Sequence, residues 1–444
     1  MLFVNLPTRF LRNRLKMMKF KFAVSLSIMA ISIVAQAGTL TLDEAIKLAK
    51  ANNGTLKAAT LDLRAAKERV TQARAAFLPT VTPVGSYVDS IRNIPNPQFG
   101  NQTLSFNQTQ TNAQLSWRAL DAGQRLAQLQ GQRANESSQE ASTRQTIRQV
   151  LFNVQQNYFE TLRAQALETV ANSQLNRSQT VLEQTKARVE VGDAARREIL
   201  QAEADALNAT VNSITAKNRS NTNAANLKAI IGANYDSSLE LSSVTYKMSE
   251  DLPKLLAEAI NIGMKTRPDL VARRYQADAQ SRSLRSATIS AGLSYALDLS
   301  YNRLLTPNTG SDQNVSFQVS FPLFDGGRSR SIVNEQRASL QSVQATINQA
   351  EKDAKSEIES AFLAFSQNQK RMEAAALAVK AAKLNFESAS ESRKAGASDL
   401  LEVLTAQVSL VTAESNFIEA TYDALISQLR LRLVTGLPML GEDN

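Results

Sequence analysis

The chain of 444 residues carries 50 Lys and Arg against 41 Asp and Glu, a formal charge of +9, and contains neither cysteine nor histidine. Missing those two residue types excludes disulfides, thiolate chemistry, a lipidated cysteine, the usual metal sites and the usual general base at neutral pH. Six of the nine excess positive charges lie in residues 1–37, so the remainder is nearly balanced and nucleic acid is not an implied partner.

Residues 1–37 are laid out as a signal peptide. Arg9, Arg12, Arg14, Lys16, Lys19 and Lys21 precede an apolar run from Phe22 to Val34, and Ala35-Gln36-Ala37 stands before Gly38. The run falls short of the ~20 residues that span hydrocarbon, so cleavage is expected rather than anchoring.

From residue 38 the pattern predicts helices over 41–78, a β-hairpin over 80–118, a long helix over 122–191 and a returning helix over 194–231. A linker over 233–252 leads to a second copy: helices over 253–289, a β-hairpin over 290–324, a long helix over 327–394, a returning helix over 398–435 and a tail, 437–444. The duplication is visible in the numbering. Asp121 and Asp325, Gly192 and Gly396, and Gly232 and Gly436 are each 204 apart, whereas Glu44-Ala45-Ile46 and Glu258-Ala259-Ile260 are 214 apart. Ten extra residues therefore lie between Leu56 and Asp121, and the loop with Pro95-Asn96-Pro97 and Gly100 accommodates them.

No proline occurs from 98 to 252 or from 323 to 437, which permits helices of roughly 100 Å at 1.5 Å per residue. A seven-residue repeat through Leu340, Ile347, Ala354, Ala361, Ala375, Ala382 and Ala389, flanked by Phe365, Met372, Val379 and Phe386, reads as a coiled-coil seam. Lys352, Lys355, Glu357, Glu359, Gln367, Gln369 and Lys370 read as its solvated face.

Ahead of each long helix the period changes to two. Leu293, Tyr295, Leu297, Leu299 and Tyr301 alternate with polar residues, as do Val315, Phe317, Val319 and Phe321. The first copy repeats this over 80–92 and 105–118, with Thr109, Thr111, Ala113, Leu115 and Trp117 on one side. Such strands, of about nine to eleven residues, suit an outer-membrane barrel with lipid on one face and water on the other. Four strands cannot close a barrel, and lipid does not tolerate an unpaired sheet edge. Copies of the chain must complete it, and three copies would give twelve strands around an aqueous lumen. The fold class expected is mixed and mainly α: long antiparallel coiled-coil hairpins from a tandem duplication, plus four strands of a trimeric 12-stranded barrel.

The sequence Pro322-Leu323-Phe324-Asp325-Gly326-Gly327-Arg328 at a strand-to-helix junction resembles the signature of the TolC-like outer membrane efflux family. Thr266-Arg267-Pro268-Asp269-Leu270 resembles that family's upstream helix start. The Val191-Gly192 and Ala395-Gly396 turns, followed by Glu198-Ile199-Leu200 and Glu402-Val403-Leu404, resemble its paired periplasmic tips. The likeness spans residues 40–438. It implies a homotrimer whose barrel in outer-membrane lipid continues as a twelve-helix tunnel through the periplasm, with a mixed belt at 232–268 and the tail. It also implies a periplasmic adaptor (membrane fusion) protein and an inner-membrane pump of RND, ABC or MFS type, for efflux or type I secretion. The chain would be a passive conduit: not an enzyme, with no cofactor and no metal.

Asp121 with Gly123, and Asp325 with Gly326 and Gly327, are placed to swing a strand into a helix and cap it. By resemblance, Val191, Gly192, Asp193, Ala395, Gly396 and Ala397 would meet the adaptor. Glu198 and Glu402 would recur three times as a cation-attracting ring, with Arg196, Arg197 and Arg393 holding it closed through ion pairs. Two departures stand out: Arg393 occupies a position where an aromatic is typical, and Thr405 replaces a second acid. The competing readings are a secreted coiled-coil scaffold or adhesin, favoured by the rods but not the strands, and a hydrolase using paired carboxylates, for which no concave site is suggested.

Overall fold

A computed structural model describes residues 39–442 apart from 97, 99, 234–239, 244–250 and 307–308. The expected signal peptide and most of the 233–252 linker lie outside the described residues. Two helices, α1 (Leu42–Asn52) and α2 (Gly54–Ala75), lead into strands β1 (Thr80–Asn96) and β2 (Gly100–Leu120). Helices α3 (Gln124–Glu190) and α4 (Arg196–Ile231) follow. The second copy comprises α5 (Leu256–Thr266), α6 (Pro268–Ala291), β3 (Ser294–Thr306), β4 (Gly310–Ser320), α7 (Arg328–Lys394) and α8 (Leu400–Thr435). Both long helices have 67 residues and both returning helices 36.

Each leading helix is broken in two, in the second copy at the helix start that Thr266-Arg267-Pro268-Asp269-Leu270 marks in the sequence. Asn53 ends α1 and caps α2, its Oδ1 accepting the amides of Thr55 (2.9 Å) and Leu56 (3.2 Å). At the equivalent point Arg267 ends α5 and Pro268 opens α6, where a missing N–H costs nothing. The returning helices press on these breaks. α4 ends at Gly232 against Asn52, and α8 ends at Gly436 against Thr266 and Arg267, both glycines being left-handed at φ 66° and 68°. Thr266 Oγ1 also donates to the Thr435 carbonyl (2.7 Å). The two copies thus close on themselves in the same way.

The four strands form one antiparallel sheet in the order β1-β2-β3-β4. Thr80 pairs with Ser116 in the first hairpin and Ser294 with Ser320 in the second. Shifting the first pair by 214 and 204 residues reproduces the second, so the duplication runs through both ladders without a slip. The ten-residue excess is confined to the outer end of the first hairpin. That corrects the expected strand lengths: β1 and β2 have 17 and 21 residues, and beyond Thr111, the last β2 residue paired with β3, they continue as a two-stranded ribbon. A strand can outrun the lipid because water satisfies its edges.

Register separates the faces. Val81, Leu115 and Tyr301 share one row, and Trp117, Leu299 and Val315 the next, all on the apolar face. On the other face Gln114, Asn302 and Asp312 share a row, Asn112 donates to Asn302 (3.0 Å), and Arg118 pairs with Asp298 (2.8 Å). A solvated lumen requires that polar ladder; lipid requires the opposite face. No helix among the described residues is long and apolar enough to cross a membrane.

At the strand-to-helix junctions both aspartates cap from two residues ahead of the N-cap glycine. Asp121 accepts the amides of Gly123 (3.3 Å) and Arg125 (2.8 Å), and Asp325 those of Gly327 (3.0 Å) and Ser329 (2.8 Å). The hydrogen bonds from Ser329, side chain and amide, hold the Asp325 carboxyl below its ordinary range. Gly326 and Gly327 both have positive φ, but in the first copy the corresponding residue is Ala122, at φ 55° the one non-glycine so strained among the described residues. Ala122→Gly should therefore raise stability by about 1 kcal/mol per subunit, read as a higher melting temperature of the detergent-solubilised protein.

The main core lies midway along the helices, where α1, α3, α4 and α8 bury Ile46, Leu151, Tyr158, Leu227, Leu429 and the tail's Met439. Tyr158 Oη lies 2.9 Å from the carbonyl of Leu40 and 2.8 Å from that of Ser242, tying together the segments on either side of the first copy. Burial pushes its pKa up to about 12. The expected seam of α7 is present, with Ala354, Ala361, Phe365 and Ala389 buried. Glu357, however, is not merely solvated. It accepts from Arg267 (2.8 Å) and Arg430 (2.5 Å), because the break at Arg267 directs a buried guanidinium onto α7. Burial pushes the neighbouring Asp269 carboxyl up, but its hydrogen bonds and charge contact with Arg267 outweigh that and leave it below the ordinary value.

Candidate functional site

Two turns, from Val191 to Ala195 and from Ala395 to Asp399, reverse the long helices at the same end of the shaft. Gly192 and Gly396 take φ of 79° and 74°, as a left-handed turn requires, and nothing lies within 4 Å of where a Cβ would project. Val191, Gly192, Asp193, Ala395, Gly396 and Ala397 are all exposed. Asp193 is held by Arg188 (2.8 Å).

The two turns are tied to each other. Arg393, in the last turn of α7, donates to Glu198 in the first turn of α4 (2.9 Å), with side-chain exposures of only 13% and 23%. Arg188, at the end of α3, donates to the carbonyl of Arg393 (3.0 Å). Glu198 also sits where a helix N-terminus favours negative charge, and Arg393 where a C-terminus favours positive charge. One half-buried carboxylate and two guanidinium groups thus lock hairpin to hairpin.

The remaining sequence candidates behave differently. Glu402 is exposed and accepts from Ser398 Oγ (2.6 Å) rather than from an arginine, while its own amide is capped by Asp399 (2.9 Å). Arg196 and Arg197 are exposed and make no ion pair among the described residues, so the expectation that they bind neighbouring helices is not met within one chain. Residues adjacent in a helix point about 100° apart, so two neighbouring arginines cannot both face Glu198.

Farther up the shaft, α3 and α8 are joined by polar contacts that periodicity does not reveal. Arg163 reaches Asp423 (3.1 Å), Arg177 reaches Glu414 (3.3 Å), and the fully buried Gln407 of α8 donates to Ser178 of α3 (2.7 Å) and to Asp205 of α4 (3.2 Å). The available signal was asymmetry between the copies: Arg163, Arg177 and Arg188 correspond to Gln367, Ala381 and Ser392 at the 204-residue offset. Charges present in one copy alone mark contacts that the duplication does not repeat.

A family model described as "Outer membrane efflux protein" matches residues 45–233 and 263–437, nearly all of both copies. The chain belongs to the outer membrane efflux protein family. It is 26% identical over 433 residues to the outer membrane protein TolC of Vibrio cholerae, covering 91% of this chain and 94% of that protein. It is 23% identical to the outer membrane efflux protein BepC of Brucella suis over 89% of this chain and 85% of the relative. Among solved structures, CusC superposes with a TM-score of 0.79 at 19% identity, covering 89% of this chain and 92% of that one. The Campylobacter jejuni CmeC outer membrane channel gives 0.78 at 19% identity, over 90% and 87%.

As an outer membrane efflux protein, the chain is a passive homotrimeric channel of the outer membrane. It is not an enzyme, and it works with a periplasmic adaptor and an inner-membrane pump. The four-stranded sheet is one third of its barrel and the shaft one third of its periplasmic tunnel.

Proposed function

We propose that the paired turns are the gate and the adaptor-docking end of an efflux conduit. The observation that carries this is the Arg393–Glu198 pair, which joins the two hairpins of one chain beside two exposed glycine turns. Threefold repetition places three copies of Glu198 and three of Glu402 around the tunnel axis, where carboxylates attract cations and repel anions. Arg393 and Arg188 hold the first ring in its closed arrangement. The exposed turn residues 191–193 and 395–397 offer backbone and small side chains to the helical tip of an adaptor. Docking there separates the hairpins and opens the passage, while energy comes from the pump.

Single-channel recording in planar bilayers tests the gate. Glu198→Ala and Glu402→Ala should each weaken cation selectivity and block by divalent ions, with the largest change in the double variant. Glu198→Ala alone should also raise conductance, since it frees Arg393. Unchanged selectivity in both single variants and the double variant would remove the gate assignment.

A further inference from the structure

The stretches that flank the sheet carry a charge that the rest of the chain lacks. Residues 64–79, 121–135, 280–293 and 321–339 hold eleven Lys and Arg against four Asp and Glu. Residues 38–444 as a whole have an excess of only three, the nine of the full chain less the six of residues 1–37. The excess has a side. Thr143 donates to the carbonyl of Ala59 and Ser138 to that of Ala272, which sets α2 and α6 on either side of α3 and leaves it two free faces. On one of these lie two adjoining grooves, lined by Arg69 of α2, Gln132 and Asn135 of α3, Ser283 of α6 and Ile332 of α7. At about 100° per residue, Arg133, Arg285 and Arg330 stand opposite Asn135, Ser283 and Ile332, and Arg74 stands about 140° round from Arg69. Each of the four helices thus presents one arginine, within three turns of the sheet, on the face away from the grooves.

That face is the one that meets lipid. Leu78, four residues beyond Arg74, and Leu126, seven before Arg133, lie on it in the turns nearest the sheet, 63% and 48% exposed. Leu323 and Phe324, ahead of α7, are more than 90% exposed. Trp117, on the apolar face of the sheet, donates to the carbonyl of Phe77 beside Leu78 (3.0 Å), so the apolar surface continues from strand to helix. Arginines just below such an edge stand at headgroup level, their stems along the apolar surface and their guanidinium groups within reach of phosphate. All four are exposed and make no ion pair among the described residues. Neighbouring acids are engaged elsewhere: Asp121 with Arg125 (2.7 Å), Asp278 with Arg282 (3.2 Å), and Asp325 with the amides that open α7. Glu68 and Glu335 point about 120° and 140° away from Arg74 and Arg330.

We propose that Arg74, Arg133, Arg285 and Arg330 form a collar that binds anionic phospholipid, phosphatidylglycerol or cardiolipin, in the periplasmic leaflet of the outer membrane. The inference rests on the outer-membrane placement of the sheet and is independent of the gate. A zwitterionic headgroup carries an ammonium that offsets its phosphate. A face whose cations are not matched by carboxylates therefore favours the anionic headgroup.

Native mass spectrometry of the purified trimer, exchanged into detergent with equimolar phosphatidylglycerol and phosphatidylethanolamine, counts the lipids retained. The parent should retain phosphatidylglycerol over phosphatidylethanolamine by about fivefold or more, and the preference should fall as salt rises. The fourfold variant Arg74→Gln, Arg133→Gln, Arg285→Gln, Arg330→Gln should retain the two alike, and Lys at the same positions should keep most of the preference. Arg69→Gln with Arg328→Gln, on the groove face, should change nothing. A parent without preference, or a preference that survives the fourfold Gln variant, would overturn the collar. Loss of preference in the Arg69→Gln, Arg328→Gln variant would move the bound phosphate to the groove face and overturn it equally. Where the fourfold variant forms no trimers, the four single Gln variants decide: each should lower the preference, and no change in any of them would sink the proposal. A chain absent from the outer membrane would instead remove the placement on which the collar rests.

Discussion

Gly436→Ala should lower the melting temperature of the protein by roughly 5–15 °C. A Cβ there would sit 2.8 Å from the amide nitrogen of Arg267 and from the carbonyl carbon and oxygen of Thr266. Those atoms are backbone at the α5–α6 break, fixed by Pro268 and by the Thr266–Thr435 hydrogen bond, and cannot move aside without unseating α8. Left-handed φ adds roughly 1–2 kcal/mol and overpacking a rigid contact typically 1–3 kcal/mol, against a total stability of about 5–15 kcal/mol for a typical domain. The matching change in the first copy, Gly232→Ala, should cost less. Its Cβ would meet Asn52 Cβ at 2.6 Å, and the terminal amide of that exposed side chain can turn away even though its Cβ must shift. The order to look for in thermal unfolding of the detergent-solubilised trimer is Gly436→Ala well below Gly232→Ala, with Gly192→Ala and Gly396→Ala closest to the parent. If Gly436→Ala melts with the parent, the closure of α8 on the α5–α6 break does not matter to the fold.

Replacing Gly192 or Gly396 with tryptophan should abolish export while leaving trimers in the outer membrane. Within the chain neither position is crowded: nothing lies within 4 Å of a Cβ at either, so the internal cost is the left-handed φ, roughly 1–2 kcal/mol. The fold can absorb that. A large side chain projecting from each of three tips would instead obstruct whatever approaches from the periplasm. Retention of a fluorescent pump substrate in intact cells measures export, and SDS-resistant trimers measure assembly. Normal export by both tryptophan variants would mean that the adaptor does not dock on these turns.

The long helices were legible because proline is absent and glycine, apart from Gly131 near the start of α3, falls only at their ends; their 67- and 36-residue lengths follow from Gly123, Gly192 and Gly232 and their counterparts. The sheet was legible from period-two alternation, and its β3–β4 half more sharply than β1–β2, whose outer ribbon lacks an apolar face to set its length. What could not be read is local. Nothing about Asn53 as a residue type distinguishes a helix interior from a helix boundary until its Oδ1 is seen to accept two amides. Glu357 sits on a polar stripe by periodicity, and only the tertiary approach of Arg267 draws it into an ion pair. At the tip, the partnership of Arg393 and Glu198 was within reach of sequence, since each ends or begins a helix beside a turn. Arg188 was not, because its main partner across the hairpins is a backbone carbonyl and leaves no pattern of charges to notice.

The ten residues present in the first copy alone stand entirely beyond the point where β2 leaves β3, on the far side of the barrel from every helix. The lower ladders keep the same pairing whether or not those residues exist, so no hydrogen bond of the wall depends on them. Lengthening, shortening or decorating that exterior crest leaves the cylinder beneath undisturbed, which makes it the natural place for the molecule to vary under pressure from outside and a ready attachment point for a peptide tag on living cells.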